Sequence, residues 1–365
     1  MSDEPRREPE PQGHLSQRGD RQPLSLVTGA AGFVGQALVR RLVAEGGPVR
    51  AVVLPGDPNL AALSDLSEDR EILDIIEADV TDERAISRAM EDVERVFHTA
   101  ALVHEWAPWE RYRAVNVRGT QTVARAAEAN RVARLVHIST TDVFGIPRGQ
   151  EDMNEASPFR EWGEPYPDTK IQAERWLWKF QRDSALPVTI IYPGWVYGPG
   201  DRAFFPGLAR AITAGFMVFW YRGPRLPWVY IENLVDACIL AGSFDEAVGN
   251  GYIIHDGSDG PTLEEVCSKI ADVCEARTPT RHLPYSLALT AAHTLQMLWR
   301  ILNLSGTPPL LTVDVKAFGR QWHLSNEMAR RHLGWEPRIS VDEGMSQALN
   351  WLARQEHRVS EPSDP

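Results

Sequence analysis

The sequence predicts an α/β fold, a doubly wound parallel sheet with a smaller C-terminal part. Short apolar runs alternate with stretches of helical period through the first half of the chain. The first run, Leu24 to Thr28, turns through three glycines into a helix. The fifth run ends in the hydroxyls Ser139, Thr140 and Thr141, at the strand end where open α/β sheets bind ligands.

The chain has 365 residues, 43% apolar and 24% charged, an ordinary balance for a globular protein with a large core. Its 38 Lys and Arg against 50 Asp and Glu leave a net charge of −12, which argues against a nucleic-acid surface and against attraction to anionic lipid. Cys238, Cys267 and Cys274 show no metal-ligand spacing, and their odd number is no disulfide framework. Cys267 and Cys274 stand seven apart on a predicted helix and share a buried face, so a reducing cytoplasm fits. Residues 1–23 are too polar and proline-rich for a signal peptide or a membrane span and read as a disordered tail. Residues 353–365 read as a flexible tail.

In order, Thr28 leads into Gly29-Ala-Ala-Gly32-Phe33-Val34-Gly35 and a helix through Ala44. Such a turn leaves helix N-terminal N–H groups to receive a pyrophosphate, and glycines let the backbone approach it. Val49 to Leu54 is the second strand; an acid at its end selects the ribose hydroxyl of NAD and a base the phosphate of NADP. Leu54 is neither. No Lys or Arg falls between Ala51 and Asp69, and Asp57 lies close by, so the reading leans to NAD.

Ile72 to Glu77 is the third strand. After it, Asp79 and the N–H of Val80 suit an adenine edge, while Thr81 or Asp82 suits the cap of a helix over 83–91. Val93 to Phe97 is the fourth strand. His98 reads as a packed or structurally hydrogen-bonded histidine, and the small Ala100 and Ala101 let a cofactor lie against the backbone. The aromatic stretch Val103 to Glu110 either lines a substrate cleft or covers the core. A helix from Arg113 to about Asn130 and a strand Arg134 to Ile138 follow.

Tyr166 and Lys170 stand four apart at the start of a helix, so an ammonium can sit beside a phenol and favour its ionised form. Further along, Trp176 and Phe180 share one side and Trp178 faces nearly the opposite way. This suggests a homodimer through that helix.

Together the motifs resemble the extended short-chain dehydrogenase/reductase family, the NAD-dependent epimerase/dehydratase superfamily. Thr28 to Gly35 resembles its TGxxGxxG loop, Asp79-Val80 its adenine contact, Asn116-Val-Arg-Gly-Thr120 its NVxGT helix, and Tyr166 to Lys170 its YxxxK pair. Ile190 to Asp201 is similar to its RPxxVYGPGD stretch, with Tyr192 where the family usually has Arg, and Val229 to Ala237 to its VYVxNLVDA stretch.

The resemblance covers about residues 24 to 352. It implies a Rossmann-type NAD(P)-binding domain over 24–200, with a returning strand near 251–257, and a substrate-binding part over 201–352. It implies Tyr166 as general acid/base, Lys170 lowering the phenol's pKa and holding the nicotinamide ribose, Thr140 bonding the substrate oxygen, and Asn116 supporting the lysine. Ser139 and Thr141 are the neighbours that could stand in for Thr140. The implied cofactor contacts are Gly29, Gly32, Phe33, Val34, Gly35, Asp79, Val80, Ala100, Ala101, Tyr166, Lys170, Pro193 and Val196. No metal is implied.

Within the family, 4,6-dehydratases carry an Asp-Glu pair where this chain has Thr141-Asp142, which disfavours dehydration. Sugar-nucleotide epimerases commonly place an Arg where Leu226 stands; Arg225 is one residue out, and Arg202, Arg210 and Arg222 remain as diphosphate partners. Phe204, Phe205, Phe216, Met217, Phe219, Trp220 and Trp228 cluster in the substrate part, about half of them expected in the core. The remainder would favour an apolar alcohol or ketone.

The chain is most similar to the 3β-hydroxysteroid dehydrogenase-type branch. Thr262 and Glu265 form a predicted capping box. Leu283 to Leu304 is read as a helix over the substrate pocket, with membrane-surface contact as the lesser alternative, and a last helix runs from Asp342 to Leu352. The reading is an NAD(P)-dependent oxidoreductase that interconverts a secondary alcohol and a ketone on a sterol-, isoprenoid- or β-hydroxy-lipid-like molecule. The alternatives are a sugar-nucleotide epimerase and a non-catalytic NAD(P)-binding scaffold, the last disfavoured because Thr140, Tyr166 and Lys170 are all present.

Overall fold

The computed structural model describes residues 22–64, 66, 71–103, 106–148, 151–220, 223–257 and 260–360. The expectations for residues 1–21 and 361–365, and for Arg222, lie outside them.

The first half runs β1 (Ser25–Thr28), α1 (Phe33–Ala44), β2 (Val49–Val53), α2 (Ala61–Ser64), β3 (Leu73–Glu77), α3 (Glu83–Ala89), β4 (Arg95–His98), α4 (Trp109–Tyr112), a π-helical segment Arg113–Gly119, α5 (Thr120–Ala129) and β5 (Arg134–Ile138). Then come β6 (Asp152–Met153), α6 (Pro165–Asp183), β7 (Val188–Pro193), β8 (Trp195–Tyr197), α7 (Phe204–Thr213), β9 (Trp228–Tyr230), α8 (Ile231–Ser243) and β10 (Gly251–Ile254). The chain closes with α9 (Leu263–Val273), α10 (Tyr285–Ile301), α11 (Thr312–Ala317), β11 (His323–Leu324), α12 (Glu327–Leu333) and α13 (Val341–Ser360).

Seven strands form one sheet in the order β10-β7-β5-β4-β1-β2-β3, every pair parallel. The chain works outward from β1 to β3, then returns to β4 on the other side of β1. That reversal opens a crevice at the carboxyl ends of β1 and β4. Two parallel two-stranded ribbons, β8–β9 and β6–β11, lie outside the sheet.

The sheet is covered on both faces, which is why its strands read as unbroken apolar runs rather than alternating ones. Leu26, Val96, Leu135 and Ile190 face one core with α3, α5 and α6; their neighbours Val27, Phe97, Val136 and Ile191 face a second core with α1 and α8. The late strand β10 returns to the sheet edge beside β7, pairing Gly251 with Ile190.

Three expectations change. The helix from Arg113 begins with a π-helical segment, so its register differs by one residue from that of a regular helix. The last helix continues past Leu352 to Ser360, because no glycine or proline interrupts it before Pro362. The aromatic cluster has its expected half in the core, with Phe205, Phe219 and Trp228 buried, but the remainder does not line the cavity beside Tyr166: Trp220, for one, donates from Nε1 to the Val315 carbonyl at 2.9 Å.

Candidate active site

Pro165 at the first turn, with its fixed φ and no N–H to waste, starts α6 and sets Tyr166 at the mouth of the crevice. Asp168 anchors that start by accepting the N–H groups of Trp162 and Gly163 at 2.7 and 2.9 Å. Thr140, at the end of β5, hydrogen-bonds the Tyr166 phenol and accepts the N–H of Asp142 at 3.2 Å. Its neighbours are occupied elsewhere, since the Ser139 hydroxyl donates to Glu174 and Thr141 is buried. Of the three hydroxyls, Thr140 is the one bonded to the phenol.

Lys170 is 1% exposed, and its ammonium donates to the Ile138 carbonyl at 2.7 Å with His137 Nε2 at 3.3 Å. The phenol is raised rather than lowered in this arrangement. Burial raises the Tyr166 pKa well above its ordinary value, and the charge of Asp142 adds to this, outweighing the Thr140 hydrogen bond. Lys170 itself is pushed down by burial while the charge of Glu174, one turn on, pulls it back up. Glu174 is pushed up by burial, against hydrogen bonds from Ser139 and Tyr192 and the nearby ammonium.

Asn116 was expected to support the lysine. Its side-chain oxygen accepts the Leu102 N–H at 2.7 Å, and its amide nitrogen donates to the Leu102 carbonyl and to Thr169 Oγ1, both at 3.1 Å. With both amide hydrogens spent, Asn116 ties the strand-end segment after β4 to α6 one residue before Lys170. The π-helical segment turns it inward to do so. His98 bridges Thr28 Oγ1 at 2.7 Å and Thr120 Oγ1 at 3.0 Å, and burial lowers its pKa to about 3, so it is a neutral structural imidazole.

The glycine turn lies across the same crevice. Gly29 has φ +65°, and a Cβ there would stand 2.7 Å from the Cα of Ala100. The post-β4 segment therefore packs directly on the loop. Gly32 caps α1 with no side-chain hydrogen bond and no acid in the first turn, so its leading N–H groups, from Phe33, Val34 and Gly35, carry no anionic cap. Asp82 caps α3, while Asp79 Oδ1 accepts the backbone and hydroxyl hydrogens of Thr81 at 2.8 and 2.7 Å. The adenine and capping roles thus fall on different acids. Pro193 ends β7, and Val196 lies three residues on in β8, outside the sheet. Uncapped helix, glycine cradle and Ala100–Ala101 floor together fit a dinucleotide.

A cavity of about 440 Å³ opens beside Tyr166. Trp106 and Trp109 form one wall, so the aromatic loop lines the cleft rather than merely covering the core; Leu311, Val313 and Gln296 form another. Arg300 joins the lining with its guanidinium 5.2 Å above the Trp106 ring. Arg225, the diphosphate candidate nearest in sequence to the expected position, instead donates to the Gly260 carbonyl. Exposed Arg202 and Arg210 are outside the cavity lining.

Sequence reasoning did not single out His137, Glu174 or the hydroxyl of Tyr192, which bonds Glu174. The available signals were a histidine inside an otherwise apolar strand and a glutamate one turn beyond Lys170.

Residues 25–254 match the model of the NAD dependent epimerase/dehydratase family. The chain is 30% identical over 328 residues to a 2-alkyl-3-oxoalkanoate reductase of Stenotrophomonas maltophilia, covering 88% of this chain and 96% of that one. It is 30% identical over 337 residues to a 4-hydroxy-2-methyl-3-oxo-4-farnesyl-3,4-dihydroquinoline-1-oxide ketoreductase of Stigmatella aurantiaca, covering 88% and 94%. The solved structure of MoeE5 in complex with UDP-glucose and NAD superposes with a TM-score of 0.69 at 26% identity, covering 91% of this chain and 99% of that one. These relatives divide between ketone reductases and a UDP-glucose-binding protein, and no single branch, the 3β-hydroxysteroid dehydrogenase type included, stands out as nearest. A family match across the whole parallel sheet, joined to a Tyr–Lys pair beside a glycine cradle, shows that the chain belongs to the NAD dependent epimerase/dehydratase family.

Proposed function

We propose that this family member interconverts a secondary alcohol and a ketone on an apolar small molecule, with Tyr166 as the proton carrier and Thr140 as its hydrogen-bond partner. The observation that carries this reading is the cavity beside Tyr166, walled by Trp106, Trp109, Leu311 and Val313. When bound, the nicotinamide supplies or accepts the hydride. The chain's residues do the rest: Thr140 holds the phenol oxygen, and the neutral phenol stands ready to give its proton to a developing alkoxide. Lys170, fixed by the Ile138 carbonyl, presents a buried positive charge beside the cofactor cradle.

The residues after β2 favour NAD. Glu77 Oε2 accepts the Gly56 N–H at 3.1 Å, and no base falls between Ala51 and Asp69, so a phosphate dianion there would meet like charge. A homodimer through α6 belongs to the same proposal; Trp176 and Phe180 stack on it at 4.7 Å.

Sugar-nucleotide epimerisation is the second reading. The family description and the UDP-glucose-bound neighbour support it, while the two curated reductases and the apolar cavity support the first. The readings separate in one assay: NADH and NADPH oxidation measured with a long-chain 3-oxo compound, a 3-ketosteroid and UDP-glucose. Net oxidation with an apolar ketone carries the first reading. Conversion of UDP-glucose with no net cofactor turnover overturns it in favour of the second.

A further inference from the structure

Of the large apolar side chains exposed among the described residues, all but Leu54, Val103 and Phe216 fall between Leu283 and Leu304. They are not scattered along α10. Steps of 100° place Leu287, Thr290, Thr294, Met297, Leu298 and Ile301 within one arc, nearly opposite the buried Ala288, Ala292 and Gln296. The two threonines do not break the stripe, because their hydroxyls donate back to the carbonyls of Ser286 and Thr290 at 2.8 and 2.9 Å and leave their methyl groups outward. Leu302 and Leu304 extend it beyond the helix end. At the other end, backbone bonds between Phe219 and residues Arg281 and Leu283 tie in the turn that carries Phe216, itself 79% exposed.

Charge is segregated here as well. No Asp or Glu occurs between Glu275 and Asp314, while Arg277 and Arg281 are exposed in that stretch; beside it, Glu264 lies 3.1 Å from His282 Nε2. The net charge of −12 opposes attraction of the whole chain to an anionic surface. Screening confines that repulsion to about 8 Å at physiological salt, so a surface meeting α10 meets chiefly the charges beside it, exposed Arg277 and Arg281 among them. No helix among the described residues is long and apolar enough to cross a membrane. At 17 residues α10 is about 26 Å long, suited to lying in the interface plane.

We propose that the outer face of α10, with Phe216, Leu302 and Leu304, docks on an anionic lipid surface. The inner face of the same helix carries Gln296 and Arg300 into the cavity beside Tyr166, so docking would set the cavity wall against the acyl chains. Docking stands on the helix alone; its use as an entry route for an apolar substrate rests on the reading given under Proposed function.

The test is flotation of the full chain with phosphatidylcholine vesicles, with and without about 30 mol % phosphatidylglycerol. Binding to the anionic vesicles is expected, weaker without phosphatidylglycerol and weakened by about 0.5 M salt. Leu298→Glu with Ile301→Glu should weaken it at least about tenfold, since both side chains leave water on docking. Arg277→Gln and Arg281→Gln should each weaken it about fivefold, on the anionic vesicles only. Unchanged circular dichroism shows that the exposed substitutions leave the fold intact. Equal flotation of wild type and the double glutamate variant overturns the proposal. So does a failure of wild type to float combined with self-association that the double variant abolishes, which assigns the face to a second copy of the chain. Flotation without reduction of any apolar ketone leaves docking standing and removes the substrate reading instead.

Discussion

Glu174 stands one helical turn beyond Lys170 with its side chain fully buried, and the two opposite charges hold each other's proton affinity against the pull of burial. Removing the carboxylate charge takes away what raises the lysine. Glu174→Gln, which keeps the shape and a hydrogen-bond acceptor for Ser139, should move the alkaline limb of the kcat/KM profile about one pH unit lower, as expected for losing a close opposite charge. The fold, followed by thermal melting, should survive. A profile that does not move would leave Glu174 with a packing role only.

Tyr166→Phe removes the hydroxyl bonded by Thr140 and leaves the ring. Loss of a positioned general acid should lower turnover by about 10² to 10⁴-fold. The dissociation constant for NAD, measured by quenching of protein fluorescence, should change little, because the glycine turn and α1 are untouched.

Gly29→Ala and Gly46→Ala separate strain from contact. Both glycines have positive φ, but a Cβ at Gly29 meets the backbone of Ala100 whereas nothing lies within 4 Å of one at Gly46. Gly46→Ala should cost about 1 kcal/mol of stability and leave cofactor affinity alone. Gly29→Ala should cost a further 1 to 3 kcal/mol or so and weaken NAD binding, measured by calorimetry, because the loop must shift off the post-β4 segment.

Acid should unfold the protein partly through its buried imidazoles. His98, lowered to about 3 by burial, takes up a proton far more readily in the unfolded chain, near pH 6.5. Its contribution is therefore full above about pH 6.5 and falls by about 1.4 kcal/mol per pH unit below it, down to about pH 3. His137 acts with the same sign. Asp256, pushed up to about 7 by burial, acts oppositely: it favours the fold most at low pH and loses that effect between about pH 4 and 7. In melting curves taken across this range, His98→Gln should flatten the acid slope and Asp256→Asn should steepen it.

Much of the fold was legible because local signals agreed with the global arrangement. Apolar runs marked β1 to β5, glycines marked the turn into α1, and Thr262 with Glu265 formed the capping box expected of them. Tyr166, Lys170 and Thr140 were legible through order and spacing. The cavity wall was legible only in part, through the aromatic loop read as lining a cleft or covering the core and the helix read as lying over the pocket. Phe205, Phe219 and Trp228 and the lining pair Trp106 and Trp109 are the same kinds of residue in sequence, and only tertiary packing decides which become core. The buried partners of Lys170 were hidden for a related reason, since His137 and Glu174 come from a strand and a helix whose register with each other the sequence does not state.

The π-helical segment Arg113–Gly119 has a consequence for chain length. It accommodates one residue more than a regular helix of the same span, and that surplus turns Asn116 toward Leu102 and Thr169. Losing a single residue there would let the helix wind regularly and rotate Asn116 by about 100°, unlatching the strand end from α6 without altering either one's own sequence. Insertions and deletions in this stretch are thus constrained more tightly than substitutions.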